Sequence, residues 1–351
     1  MDIWQRYGVD DELLRIARET ESECAKEFEN IEKIQEENEL WVLDCFREER
    51  IAPAHFAPTF GYGYDDIGRD KLASLFARVF RAEKAIVRPQ IASGTHALAL
   101  ALQGITTKGT RILSASGSPY DTLESVIGHK KNTEGSLCDM GATYSELPLK
   151  DGKIDFDALT EAAKNADTVM LQRSRGYQDR PSLTVDDIEK AAKIIKAANP
   201  NAVVFVDNCY GEFVENREPV EAGADLIAGS LIKNPGGGIA PTGAYIAGRK
   251  DLIERIEYRM TAPGIGGEVG SYAASYLPFF QGLFLAPQTV AQALKGAVFA
   301  SRMLDKSGFS ASPAPGEKRG CIIQSIRLGD RDKLVKMCRC VQAVSPVEAF
   351  V

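Results

Sequence analysis

The chain has 351 residues, 44% hydrophobic and 26% charged, which allows a sizeable core and excludes an intrinsically disordered protein. A formal net charge of -7 gives no field to attract nucleic acid or anionic lipid, so the expected partner is a small molecule. Residues 1–6 lack the pattern of a signal peptide and no apolar run is long enough to span a bilayer, so a cytoplasmic location is expected.

Asp10 and Asp11 can cap a helix whose apolar positions Leu14, Ala17, Cys24, Phe28 and Ile31 recur at three-and-four spacing. Asn38 is expected to interrupt it, and Leu40 to Phe46 to restart a second helix before Pro53 and Pro58 force extended chain. Residues 1–58 therefore read as an N-terminal helical arm. Thr59 to Gly68 is too rich in Gly and Tyr for a regular element and reads as an ordered loop; Arg69 to Ala82 is helical in period.

From there apolar runs alternate with helical patterns. The predicted strands are Ala85–Arg88, Arg111–Ala115, Thr168–Gln172, Ala202–Asp207, Asp225–Ser230 and Gly243–Ala247, with helices near 95–104, 119–128, 155–165 and 184–198. Alternation of this kind predicts an α/β fold with a mostly parallel central sheet flanked by helices, its ligand beyond the carboxyl ends of the strands. Residues 59–287 form this large domain. From about Gln288 the character changes: a helix from Val290 to Leu304, a turn at Pro313–Pro315, a strand-like Cys321–Leu328 and a helix from Arg331 predict a smaller C-terminal α+β domain over 288–351.

Seven scattered cysteines read as reduced thiols, and Cys338 and Cys340 have the wrong spacing for a zinc knuckle. With three histidines and no HExxH, no metal site is indicated. GxxxxGK[ST] is absent, and the glycine clusters do not give GxGxxG after a strand.

Four features fall at predicted strand ends. Ser93, Gly94 and Thr95 open a helix after an extended segment, where free N–H groups and hydroxyls can converge on a phosphate, although Ser and Thr also cap ordinary helices. Asp207 ends a buried apolar strand, a costly place for a carboxylate unless it meets a cation such as a protonated pyridine ring; a turn Asp is the plain alternative. Lys233 follows the next strand, three residues after Ser230. Its apolar and small neighbours can depress its pKa and supply a neutral amine for a Schiff base, whereas a surface lysine is the commoner case. Tyr120 lies beyond an earlier strand, where its ring could stack on a cofactor or pack at a helix start. Their order and spacing carry the signal, and they point to pyridoxal 5'-phosphate (PLP).

Gly61 to Asp70, Ser93 to Ala97, Pro119 to Leu123, Gln172 to Tyr177, the strand ending at Asp207 and Ser230 to Gly237 together resemble the fold type I PLP enzymes of the aspartate aminotransferase-like superfamily. Within them they resemble the aluminum-resistance proteins, carbon-sulfur lyases related to methionine gamma-lyase and cystathionine lyases. The resemblance implies PLP bound covalently to Lys233, with Asp207 on the pyridine nitrogen and Tyr120 over the ring. It implies Ser93, Gly94, Thr95 and Ser230 around the phosphate, completed by Tyr64 and Arg69 of a neighbouring subunit in a homodimer or homotetramer. It further implies an arginine for the substrate carboxylate beyond the segment Ala343 to Val347. As this chain stops at Val351, the expectation is either that the end is absent and the C-terminal domain incomplete, or that Arg173, Arg175 or Arg327 takes this role. The implied reaction is α-proton abstraction from a cystathionine-, methionine- or cysteine-type substrate, followed by β- or γ-elimination of a thiol. Transamination, aldol cleavage and a non-catalytic PLP-binding role are the alternatives.

Overall fold

A computed structural model of the chain describes residues 3–131 and 133–350. They form two compact units. One comprises the residues up to Glu32, Ala293–Lys318 and those from Gln324; the other comprises Lys33–Gln292 with Arg319–Ile323. The units are interleaved along the chain.

The helices are α1 (Ile3–Arg6), α2 (Asp11–Glu23), α3 (Ala25–Glu48), α4 (Ile67–Val79), α5 (Gly94–Ile105), α6 (Asp121–Ile127), α7 (Phe156–Ala163), α8 (Val185–Ala198), α9 (Lys250–Met260), α10 (Leu277–Lys306) and α11 (Arg331–Ala343). The strands are β1 (Lys84–Arg88), β2 (Arg111–Ser114), β3 (Thr143–Glu146), β4 (Thr168–Gln172), β5 (Val203–Asp207), β6 (Leu226–Ser230), β7 (Ala244–Gly248), β8 (Ser310–Ser312) and β9 (Ser325–Arg327).

In the larger unit β1 to β7 form one sheet in the order β1-β7-β6-β5-β4-β2-β3. The pairs β2–β3, β2–β4, β4–β5 and β5–β6 are parallel, and β7 is antiparallel to both neighbours. Thr168 to Gln172 and Leu226 to Ser230 are buried throughout, the mark of strands covered on both faces. Helices α5 and α9 pack on each other over this sheet so closely that a Cβ on Gly104 would lie 2.5 Å from Ile256 Cγ1. Three of the crossover helices begin with a side-chain cap that fixes where the helix starts: Ser93 for α5, Asp155 for α7 and a Thr184–Asp187 capping box for α8. In the smaller unit Glu23, Glu27 and Glu32 pair with Lys306, Arg302 and Lys295. No described helix is long and apolar enough to cross a membrane.

Three elements differ from expectation. The first break falls at Cys24, which caps α2, and α3 runs unbroken through Asn38. Asn38 is buried, and its Nδ2 donates to the carbonyls of Phe213 and Glu215, so its side chain is engaged by distant carbonyls instead of competing for the backbone of its own helix. Strand β3, at the sheet edge, alternates exposed with half-buried residues and carries no apolar run to reveal it. Helix α10 begins at Leu277 and continues through Pro287.

Candidate active site

The carboxyl edge of the sheet gathers the expected residues. Asp207 is the last residue of β5, level with Gln172 of β4 and Ala228 of β6. Ser230 closes β6, and Lys233 follows at the head of a short 3-10 turn, Asn234–Gly236. Helix α5 presents its first turn to the same point: a Cβ built on Gly94 would lie 3.4 Å from Ser230 Cβ, 3.5 Å from Cys209 Sγ and 3.9 Å from Lys233 Nζ. Only a residue without a side chain leaves this space open.

Ser93 Oγ accepts from the His96 N–H at 3.1 Å, so the capping role is realised. The N–H groups of Gly94 and Thr95 belong to the helix's first turn, which no intrahelical carbonyl can serve. The Thr95 hydroxyl is 2.7 Å from that of Thr122.

Asp207 is buried, and burial pushes its carboxyl up; the Cys209 N–H, which donates to Oδ1 at 3.1 Å, and the charges of Lys233 and Arg180 oppose this. Lys233 corrects an expectation. Burial does push its amine down, but the acidic groups facing it, Cys209, Tyr210, Asp207 and Glu212, push it further the other way, and the net shift is upward. Its Nζ stands 4.4 Å from the centroid of the Tyr210 ring, a cation–π contact. The sequence shows the small neighbours of this lysine but not the acids folded against it.

Tyr120 precedes α6, half-buried, and stacks on Tyr177 with centroids 5.7 Å apart. Tyr177 pushes its phenol up and Lys233 pulls it down, which places Tyr120 within electrostatic reach of the amine. Arg180, held near 10 by burial, donates to the carbonyls of Gln172 and Ser174 and fixes the loop after β4. Arg175 is buried in that loop, donating to Gln178 O and pairing with Asp179.

Arg173 is corrected too. It is fully buried and bonds Asn208, Glu215 and Glu218, so its guanidinium is closed to a ligand. It anchors a polar wall behind the site: Asn208 also donates to Glu218 and to Tyr245, whose hydroxyl donates to Glu212 at 3.0 Å. Burial pushes Glu212 up to about 8, and its second carboxylate oxygen has no hydrogen-bond partner.

Tyr64 and Arg69 stand apart, on a cleft of about 920 Å³. Tyr64 is exposed, whereas Arg69 is buried and bonds Gly63 O and Asp70. Tyr210, Cys209, Arg180 and Glu212 went unremarked in the sequence. The first two follow Asp207 within three residues, and that adjacency to a strand-end acid was their available signal.

Comparison with known proteins places these features in context. The family model for methionine gamma-lyase matches residues 13–351. The uncharacterized protein YnbB of Bacillus subtilis is 48% identical over 97% of this chain and 81% of its own. The crystal structure of a carbon-sulfur lyase involved in aluminum resistance from Clostridium novyi is 46% identical, with TM-score 0.96 over 99% of this chain and 84% of that one. At 19% identity, the pyridoxal-5'-phosphate dependent protein YhfS of Escherichia coli shares the fold, with TM-score 0.61 over 82% of this chain and 74% of that one.

Proposed function

The chain belongs to the methionine gamma-lyase family, and from that premise we propose that it is a PLP-dependent carbon-sulfur lyase acting on an amino acid of the cystathionine, methionine or cysteine type. The observation that carries the reading is the convergence of Gly94, Ser230, Cys209 and Lys233 within 3.9 Å of one point, beside the buried carboxylate of Asp207.

The residues present fit the cofactor. When bound, PLP supplies an aldehyde for covalent attachment and a ring that accepts the electron pair left by a removed α-proton. The amine of Lys233 is the attachment point. Asp207, whose carboxyl burial pushes up, would be the partner for the pyridine nitrogen, where an ion pair would keep the ring electron-withdrawing. Gly94, Thr95 and Ser230 hold the phosphate, with Ser93 fixing the turn through its cap. Tyr120 would stack on the ring.

With PLP bound, Lys233 Nζ would be the base that takes the substrate's α-proton. The same amine, once protonated, would return a proton to the sulfur that leaves with the C–S electron pair, which balances the release of a thiol. With Arg173 closed off, Arg175 and Arg327 remain of the three arginines considered for the substrate carboxylate, and Arg175, in the loop after β4, is the one on this sheet edge. In a homodimer or homotetramer, Tyr64 and Arg69 of a neighbouring subunit complete the phosphate site. A cytoplasmic location suits such a reaction.

Lys233→Ala tests the reading: visible absorbance from bound PLP and all turnover are expected to vanish. Thiol, ammonia and keto acid released together from cysteine, cystathionine or methionine identify the lyase. Keto acid without thiol would assign a transaminase instead.

A further inference from the structure

The segment Cys321–Leu328, strand-like in sequence, forms a strand only over β9. Its first residues fall within a strap, Arg319–Ile323, that belongs to the larger unit, although the chain on both sides of it, Ala293–Lys318 and the residues from Gln324, belongs to the smaller. Cys321 is buried, and Gly320 packs main chain to main chain: a Cβ there would lie 2.2 Å from Leu183 O. Two hydrogen bonds tie the strap to the loops that build the Lys233 site. The Gly320 N–H donates to Ser182 Oγ at 2.9 Å, and the Ile322 N–H donates to the carbonyl of Tyr210 at 3.1 Å. Ser182 and Leu183 close the loop between β4 and α8, where burial pushes the Arg180 guanidinium down to about 10 and Cys321 acts on it the other way. The strap thus holds the loop after β4 through Gly320 and the turn after β5 through Ile322.

Tyr210 is the residue of that turn in need of support. Its φ of 69° is left-handed, a conformation that a residue with a side chain keeps only when its surroundings impose it. Its ring is the face on which the Lys233 amine rests, with Nζ 4.4 Å from the centroid. The Ile322 N–H meets the main chain of Tyr210, so it fixes the turn and leaves the ring face to the amine. We propose that Arg319–Ile323 is a positioning element for Lys233, the Ile322 N–H holding Tyr210 so that its ring stays against the amine. The proposal rests on the reading of Lys233 as the reactive amine and adds to it a support drawn from a distant part of the chain.

Ile322→Pro removes the N–H, whereas Ile322→Ala keeps it. Gly320→Ala displaces the strap by a second route, because its methyl would overlap the Leu183 carbonyl; it carries the test if the proline variant does not fold, and thermal melts establish which variants do. The first readout uses the full chain without PLP: acylation of Lys233 by trace acetic anhydride at neutral pH, mass-mapped against the exposed Lys193. An amine that has lost its cation–π partner is neutral more of the time, so Ile322→Pro and Tyr210→Ala are each expected to raise the Lys233 rate by about 2- to 30-fold. Ile322→Ala should leave it unchanged. Ile322→Pro added to Tyr210→Ala should do nothing further, a coupling that a strap acting on stability alone does not produce. With PLP bound, kcat for thiol release should fall as expected for Tyr210→Ala, and the pH midpoint of the visible absorbance should move with it. An unchanged Lys233 rate in the folded variants overturns the proposal, as do fully additive effects in the Tyr210→Ala background. Failure of both strap variants to fold overturns it too, by making the strap a stability element. Strap-dependent acylation in a protein that gains no absorbance with PLP would sink the lyase reading and leave this one intact.

Discussion

The amine of Lys233 lies over the face of Tyr210, 4.4 Å from the ring centroid. Tyr210 takes a left-handed backbone conformation, φ 69°, uncommon for a residue with a side chain. The structure holds it there three residues after Asp207, so the acid and the aromatic come from one turn while the amine comes from the next strand.

Removing that ring should loosen the amine. Tyr210→Ala is expected to lower kcat by about 2- to 30-fold, the equivalent of a cation–π contact, while Tyr210→Phe keeps the face and most of the rate. Steady-state kinetics on both variants decide it. Equal losses would move the role from the ring face to the hydroxyl.

Gly94 should separate folding from binding. The contacts of an added Cβ, 3.4 to 3.9 Å, are near ordinary van der Waals distances, so Gly94→Ala is expected to unfold at nearly the wild-type midpoint. The added methyl nevertheless occupies the space between α5 and Lys233, and PLP affinity should fall, further in Gly94→Val. Spectroscopic PLP titration beside a thermal melt reads both quantities. A Gly94→Val protein with unchanged affinity would place the phosphate elsewhere.

Glu212 should make stability depend on pH. Burial raises its pKa from 4.5 to about 8 in the folded chain. The folded state therefore keeps a proton that the unfolded chain releases. This contribution is complete below pH 4.5 and declines as pH rises toward about 8. Glu212→Gln is expected to flatten the decline, and denaturant unfolding of both proteins between pH 5 and 8.5 checks it. An unchanged slope would mean that another group carries it.

Arg173 distinguishes a structural from a ligand-binding arginine. Its removal leaves Glu215 and Glu218 facing each other with little exposure. Arg173→Ala should cost about 3–5 kcal/mol of stability, measured by urea unfolding. A variant of wild-type stability with only a raised KM would restore the carboxylate-binding role.

Much of this was legible in residue order. Val203 to Asp207 and Leu226 to Ser230 read as strands because buried parallel strands are continuous apolar runs, and each run stops at the polar residue that reaches the site. Asp207, Ser230 and Lys233 could thus be placed on one edge before any coordinates. What the sequence withheld depended on distant partners. Arg173 looked available for a substrate because Glu215 and Glu218 lie 42 and 45 residues downstream. Asn38 looked like a helix break because the carbonyls that satisfy it belong to residues 175 and 177 positions away. The upward direction of the Lys233 shift was hidden for the same reason: local neighbours are readable, while the acids that face it across the fold are not.

The account rests on a covalent link between PLP and one lysine. Borohydride reduction of the PLP-loaded protein, followed by proteolysis and mass mapping, should place the reduced pyridoxyl group on Lys233 alone and bleach the visible absorbance. A label on a different lysine, or none with the absorbance unchanged, would contradict it.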